Sequence, residues 1–124
     1  MTAFLHDNVL DQGVKYVDDH LTGLYICSQQ PTTYTEAITT YALGNKASPA
    51  CGVPEDDTSG RKVTISAITD GSVTATGTAS HYALVNSAST ELMVAQALAS
   101  SQAVTNGNTF TLAAFKVAIP DPTA

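Results

Sequence analysis

The sequence predicts a mainly β fold, an antiparallel β-sandwich or jelly-roll-like domain with one N-terminal α-helix. β-rich runs of Val, Ile and Thr occupy much of the chain from Lys62 onwards. Asp70-Gly71 and Asn106-Gly107 lie between such runs, and both dipeptides are typical of hairpin turns. Near the N-terminus, apolar residues instead recur at helical spacing.

The composition limits the size of the fold and its possible partners. The 124 residues are enough for one domain, residues 1–124, with a single core. Charged residues make up 13%, the net charge is −6, and eighteen threonines supply polar surface in place of charge. Five basic residues cannot form the stripe that nucleic acid requires. We also find no signal peptide and no apolar run of membrane-spanning length, so we expect synthesis in a cytoplasm and no membrane partner.

Thr2 is the predicted N-cap of a helix from about Ala3 to Asp19. Gly13 falls within the apolar arc of this helix, where it costs about 1 kcal/mol relative to Ala, so we expect a close approach to a sheet there. The apolar arc consists of Leu5, Val9, Leu10, Val14, Tyr16, Val17 and Leu21.

The apolar run at residues 21–28 predicts a buried strand, which ends before Pro31. Residues 32–43 fit either a short helix or an irregular segment. Residues 45–60 predict a long loop, and loops of this length in compact domains are usually functional or mobile.

Residues 62–77 predict a hairpin around Asp70-Gly71. A loop of residues 69–71, with Gly71 in the left-handed position of a bulge, would pair Ile65 with Ala75 and gather the apolar side chains on one face. The other face would be lined with hydroxyl groups.

Three further strands are expected at 78–86, 91–99 and 109–119. The run 91–99 also has helical propensity, but its length and its neighbours favour a strand. Asn106-Gly107 is the second hairpin signal, and a short tail follows at 120–124.

None of the candidate metal or catalytic groups forms a recognisable site. His6 and His20 lie about 21 Å apart along a helix and cannot share an ion, and we expect both, with His81, to be partly buried structural residues. The acidic run 55–57 lacks the ligand spacing of a calcium loop. We therefore predict no metal and no cofactor.

The two cysteines are expected to be free buried thiols, although a bridge formed after release from the cell stays open. Cys27 has no cationic neighbour in sequence that would lower its pKa. The chain has no nucleophile–base motif and no phosphate-binding glycine loop, so we predict that it is not an enzyme.

Three segments, LYICSQQPTTYTEA, GRKVTISAITDGSVTATGTASHYALV and SQAVTNGNTFTLAAFKVAIPDP, carry a family resemblance. They resemble small virion structural proteins of tailed bacteriophages and prophages, a group that includes decoration, cement, collar and tail-fibre-like proteins. The matched segments cover most of the chain outside residues 38–59. The resemblance implies a component of the virion, made in the host bacterial cytoplasm.

From this resemblance we expect a capsid decoration, or cement, protein on the capsid exterior that binds the major capsid protein as a dimer or trimer. One alternative is a head–tail connector, collar or tail-tip structural protein. Another, of a different class, is a host-surface or carbohydrate-binding module, although five tyrosines and no tryptophan offer little aromatic surface. The residues expected to make the contacts are Phe4, Asn45, Pro49, Val53, Pro54, Pro120 and Pro122.

Overall fold

The fold is mainly β, with antiparallel sheets and one α-helix, as the sequence predicted. A computed structural model describes residues 7–58 and 60–119. The predicted helix cap at Thr2 and the contact residues Phe4, Pro120 and Pro122 therefore lie outside the described residues.

The helix and strands follow one another along the chain in a simple order. They are α1 (Asp7–His20), β1 (Gly23–Cys27), a π-helix (Glu36–Thr40), β2 (Ala42–Ala47), β3 (Glu55–Asp56), β4 (Arg61–Ile65), β5 (Ile68–Val73), β6 (Gly77–Asn86), a 3-10 turn (Ser87–Ser89), β7 (Glu91–Val104), β8 (Thr109–Leu112) and β9 (Phe115–Ile119). They form two compact units. The expectation of a single domain stays a prediction.

The first unit contains α1 and a three-stranded sheet in the order β3-β4-β9. The helix packs on β4 and β9 through buried Val14 and Val17, and Val63 of β4 is fully buried. A Cβ atom on Gly13 would overlap the side chain of Ile119 in β9. The predicted close approach of the helix to a sheet at Gly13 is therefore confirmed.

The second unit is a six-stranded antiparallel sheet in the order β7-β6-β1-β2-β5-β8. Only residues 105–108 link its edge strands β7 and β8. This link spans at most about 18 Å, whereas the edges of a flat six-stranded sheet lie about 24 Å apart. The sheet must therefore curl, and the Gln102 side-chain amide of β7 donates a hydrogen bond to the Thr111 carbonyl of β8 at 3.1 Å.

The predicted hairpin around Asp70-Gly71 is wrong. Both residues lie inside β5, which pairs with β2 and β8, while β4 pairs with β3 and β9. Ile65 is consequently opposite Phe115 and not Ala75. Gly71 is not among the described glycines with positive φ, because the chain crosses between sheets at residues 66–67 and continues beyond Gly71 as a strand.

The other predicted strands differ mainly in where they end. The predictions for 21–28, 78–86 and 91–99 are confirmed as β1, β6 and a longer β7. The predicted last strand, 109–119, is instead two strands, β8 and β9, which belong to different sheets. The predicted loop 45–60 is wrong at its start, because β2 continues to Ala47, and it also contains β3.

Candidate functional site: a tyrosine-lined sheet face

The most distinctive surface of the second unit begins with the alternation of side chains along β1. Leu24 and Ile26 point to one face of the sheet and are fully buried, whereas Tyr25 and Cys27 point to the other. The β1–β6 register places Ala83 beside Tyr25 on that second face. Since Tyr25 is only half-buried, this second face is partly open to solvent.

The π-helix lies over part of this face, and its first turn is fixed by polar contacts. The Thr33 hydroxyl accepts a hydrogen bond from the Glu36 N–H at 3.1 Å. The Glu36 carboxylate accepts bonds from the Thr32 N–H and hydroxyl, both at 2.8 Å. These bonds, led by the one from the Thr32 N–H, lower the pKa of Glu36. The arrangement resembles a capping box and holds the helix start in place.

The ordered π-helix brings three tyrosines together. We call the tyrosine face the cluster in which five partly buried side chains pack around a buried centre of Cys27, Ala37, Ala83 and Val85. Burial, and then the nearby Tyr34, raise the pKa of Tyr25. The five side chains are Tyr25, Tyr34, Ile38, Tyr41 and Leu92.

A polar surface continues from Tyr25 across the sheet. Strand register aligns one residue from each strand in a cross-strand row, in the order Ala95, Ala83, Tyr25, Asn45, Ser72 and Thr109. Ser72 and Thr109 are exposed and Asn45 is half-buried. The row therefore combines one aromatic ring with an amide and two hydroxyl groups, and it carries no charge.

The structure separates the predicted contact residues that it describes. Asn45 lies in β2 beside Tyr25 and not in a loop. Pro49 is buried, so it has little surface to offer a partner. Val53 is 72% exposed, and Pro54 after it is half-buried. Of this predicted set, Asn45 lies next to Tyr25 of the tyrosine face, and Val53 belongs to the first unit.

Two carboxylates of the acidic run at 55–57 are paired with basic side chains. Asp56 pairs with Arg61 at 2.7 Å, and Asp57 pairs with Lys116 at 2.6 Å. The hydrogen bond from Lys116 is the main reason that the pKa of Asp57 is lowered. Within residues 7–58 and 60–119, no three His, Cys, Asp or Glu side chains are grouped as metal ligands would be.

Ser80 and His81 form a contact that superficially resembles a catalytic pair. The Ser80 hydroxyl lies 2.8 Å from Nδ1 of His81 and donates its hydrogen to the Ser28 carbonyl at 2.9 Å. A hydroxyl has one hydrogen, so while Ser80 donates to the Ser28 carbonyl its contact with His81 requires the proton on Nδ1. His81 is half-buried, as the sequence predicted.

His20 differs from the expected partly buried residue, because it is exposed at the end of α1. Its ring stacks on Tyr16 with centroids 4.2 Å apart, and its Nδ1 lies 3.0 Å from the Tyr16 carbonyl. These contacts are local to the last turn of the helix. His6 lies outside the described residues.

Both cysteines are free thiols. Cys27 is fully buried beneath the tyrosine face, and burial raises its pKa to about 11. Burial, and then the charge of Asp18, raise the pKa of Cys51 to about 11 as well. Neither thiol is activated as a nucleophile, because a reactive cysteine needs a lowered pKa.

The tyrosine face is not predictable from any single stretch of sequence, because its members lie far apart in the chain. The one local signal is the pattern Thr33-x-x-Glu36, which marks a helix start within residues 32–43. It could have predicted that Tyr34 and Ile38 occupy one short helical turn.

Comparison with protein-family models, with curated proteins and with solved structures finds no match to this chain. Among the described residues, no helix is both long and apolar enough to cross a membrane.

Proposed function

We propose that the protein is a non-enzymatic structural component of a bacteriophage virion, a decoration protein that binds the assembled capsid shell. The resemblance in sequence suggests the class, and the tyrosine face is the observation that carries the proposal. Tyrosines are enriched at protein interfaces because the ring buries apolar area while the hydroxyl keeps a polar partner.

The charges of the chain support attachment to protein and not to nucleic acid. Four of the five basic residues pair with carboxylates in the structure, which leaves little free positive charge for phosphate. The tyrosine face itself carries no ionised side chain. Attachment through this face should therefore resist salt, because apolar and hydrogen-bonded contacts are not screened.

A decoration protein stabilises the shell by mass action, since it binds the assembled lattice and not free subunits. The test is to remove the protein from particles, or to omit it, and then to heat them with and without added protein. We expect particles that lack it to open at a lower temperature, and added protein to restore the difference. Densitometry of intact particles should show copies in proportion to the major capsid protein.

Two matched variants identify the binding surface. Tyr34→Ala removes a ring from the tyrosine face, and Tyr16→Ala removes a 40%-exposed ring from α1. We expect the first to weaken capsid binding and the second to leave it unchanged, with circular dichroism confirming that both variants fold. Equal opening temperatures with and without the protein would contradict the proposal. A few copies confined to the tail would instead favour the connector, collar or tail-tip alternative.

The cross-strand row favours a second candidate, a host-surface or carbohydrate-binding module. A ring flanked by an amide and hydroxyl groups can stack on a sugar and hydrogen-bond to it. Affinity electrophoresis in neutral polysaccharides would test this with wild type and Tyr25→Ala. Retardation of the wild type alone, without any effect on particle stability, would favour this candidate over the capsid proposal.

A further inference from the structure

The long edge strand β7 differs from the other edge strands of the described sheets. β3 has two residues, both acidic, β8 has four, and β9 has five including Lys116. β7 has fourteen residues and its only charged side chain is Glu91, at its start. Short or charged edges avoid pairing with other chains, whereas a long apolar edge invites it.

The hydrogen bonds of β6 determine which β7 residues point their N–H and C=O groups towards β6 and which point them outward. The Val85 carbonyl accepts a hydrogen bond from the Thr22 N–H at the start of β1, so Val85 faces β1. Alternation along β6 then turns Leu84 and Tyr82 towards β7. Val94 and Gln96, their partners in register, face back towards β6.

The residues between these partners must therefore face outward. Ala95 and Ala97 direct their N–H and C=O groups away from β6. A separate contact agrees, because the Ala95 carbonyl accepts a hydrogen bond from the Gln30 side-chain amide at 3.2 Å. Gln30 is exposed, so this single side chain covers one edge carbonyl from the solvent side.

Two irregularities in register set the limits of the open segment. They fall beside Met93 and between Ala97 and Gln102, and leave four consecutive β7 residues, Val94 to Ala97, in regular pairing with β6. Ala97 is exposed and Ala95 is half-buried, and neither side chain is large enough to obstruct an approaching strand.

We propose that this segment of β7 pairs antiparallel with the same segment of a second copy of the chain, about a two-fold axis at Gln96. Ala95 then pairs with Ala97 of the second copy, and Ala97 pairs with Ala95 of the second copy. The outward N–H and C=O groups of Ala95 and Ala97 in one copy then hydrogen-bond to those of Ala97 and Ala95 in the other, and the pairing needs no bulge.

The sequence of β7 is what selects a second copy as the occupant. Within the regular segment the two-fold register pairs only small or uncharged side chains, Ala95 with Ala97 and Gln96 with Gln96 of the second copy. Glu91 lies five residues from the axis and beyond the irregularity at Met93, so the two Glu91 side chains lie at opposite ends of the paired segment and no like charges meet, although each chain carries a net charge of −6. Such an isologous contact closes as a dimer. The inference concerns the isolated protein and does not rest on the capsid proposal.

Sedimentation equilibrium of the isolated protein, from low micromolar to millimolar concentration, tests the pairing. We expect a monomer–dimer equilibrium in the wild type. Ala95→Pro removes an outward N–H without touching the bonds to β6, and Ala97→Lys places a charge on the edge. Both should be monomeric, while the control Thr105→Lys, exposed in the turn after β7, should dimerise like the wild type.

Gln30→Ala should strengthen dimerisation instead of weakening it. It removes the side chain that competes for the Ala95 carbonyl, so dimerisation should tighten by about three- to tenfold, the usual effect of one hydrogen bond. Amide hydrogen exchange should show the N–H groups of Ala95 and Ala97 becoming protected as concentration rises. The N–H of Gln96 should be protected at every concentration, because it faces β6.

A wild type that stays monomeric at every concentration overturns the proposal. So does a dimer that persists in Ala97→Lys, which would place the interface elsewhere. If Ala95→Pro does not fold, the comparison of Ala97→Lys with Thr105→Lys decides the matter.

Discussion

The aromatic ring of Phe110 in β8 lies directly against the backbone of Gly71 in β5. The two residues are register partners, and a Cβ atom on Gly71 would overlap the ring. Gly44 in β2 borders the same ring, since a Cβ atom on Gly44 would lie 3.3 Å from it. Phe110 is 2% exposed. The missing side chains of Gly71 and Gly44 therefore leave the space in which the ring of β8 is buried against β5 and β2.

Gly71→Ala should therefore lower the free energy of unfolding by about 1–3 kcal/mol, the usual cost of overpacking a closed core. Urea unfolding measures the difference. The control is Gly52→Ala, where the nearest atom to a new Cβ is 3.7 Å away and little change is expected. Equal stability of Gly71→Ala and wild type would show that the ring can move aside.

A double-mutant cycle separates this packing from any turn requirement at Gly71. In the Phe110→Leu background the ring is absent, so adding the Gly71→Ala methyl should cost less than it does in the wild type. The same cost in both backgrounds would contradict a direct clash with the ring.

Gly107 is a glycine whose conformation matters, because its φ is +91° and nothing lies within 4 Å of a Cβ built on it. Gly107→Ala should destabilise by about 1 kcal/mol through backbone strain alone. Gly107→Asn should lose less, since Asn tolerates positive φ better than other residues. Thermal unfolding of the pair checks this, and an Ala variant as stable as the Asn variant would argue against strain.

Cys27 should make stability depend on alkaline pH. Its pKa is about 11 in the folded protein against 9.0 in an open thiol, so the folded state favours the neutral form. The resulting stabilisation is complete below pH 9 and is lost as the pH rises from about 9 to about 11. Urea unfolding at several pH values should show this decline, and Cys27→Ala should reduce it.

Cys51, whose pKa is also about 11, should contribute to the same decline, so Cys51→Ala is the companion variant. A pH dependence that neither substitution changes would mean that other groups cause it. Both thiols should also react slowly with thiol reagents at neutral pH in the folded protein and rapidly in urea.

Glu36 should make the π-helix sensitive to acid. Its lowered pKa means that the carboxylate stabilises the fold above the usual pKa of a glutamate. This contribution falls away as the pH drops through the lowered value. Near-ultraviolet circular dichroism of the nearby tyrosines should show the change between neutral and acidic pH, and Glu36→Gln should already resemble the acid form at neutral pH. Glu55→Gln, which removes a carboxylate elsewhere, should not.

The sequence determined the class of the fold and most of its elements. The helical spacing of Val14 and Val17 is a local property, and so is the alternation that gives β1, β6 and β7. Such periodicity does not depend on which element the helix or strand packs against, because it requires only that one side of the element is buried. The close approach at Gly13 was predictable for the same reason.

Only the tertiary structure decided which strands pair. Asp70-Gly71 has the local chemistry of a turn, but the pairing of β5 with β8 and the ring of Phe110 fix it as strand. The tyrosine face likewise joins Tyr25 to Tyr34 through a sheet and a short helix that meet in space. Pairing is non-local, because its free energy depends on partners many residues away, and no pattern within a single strand specifies them.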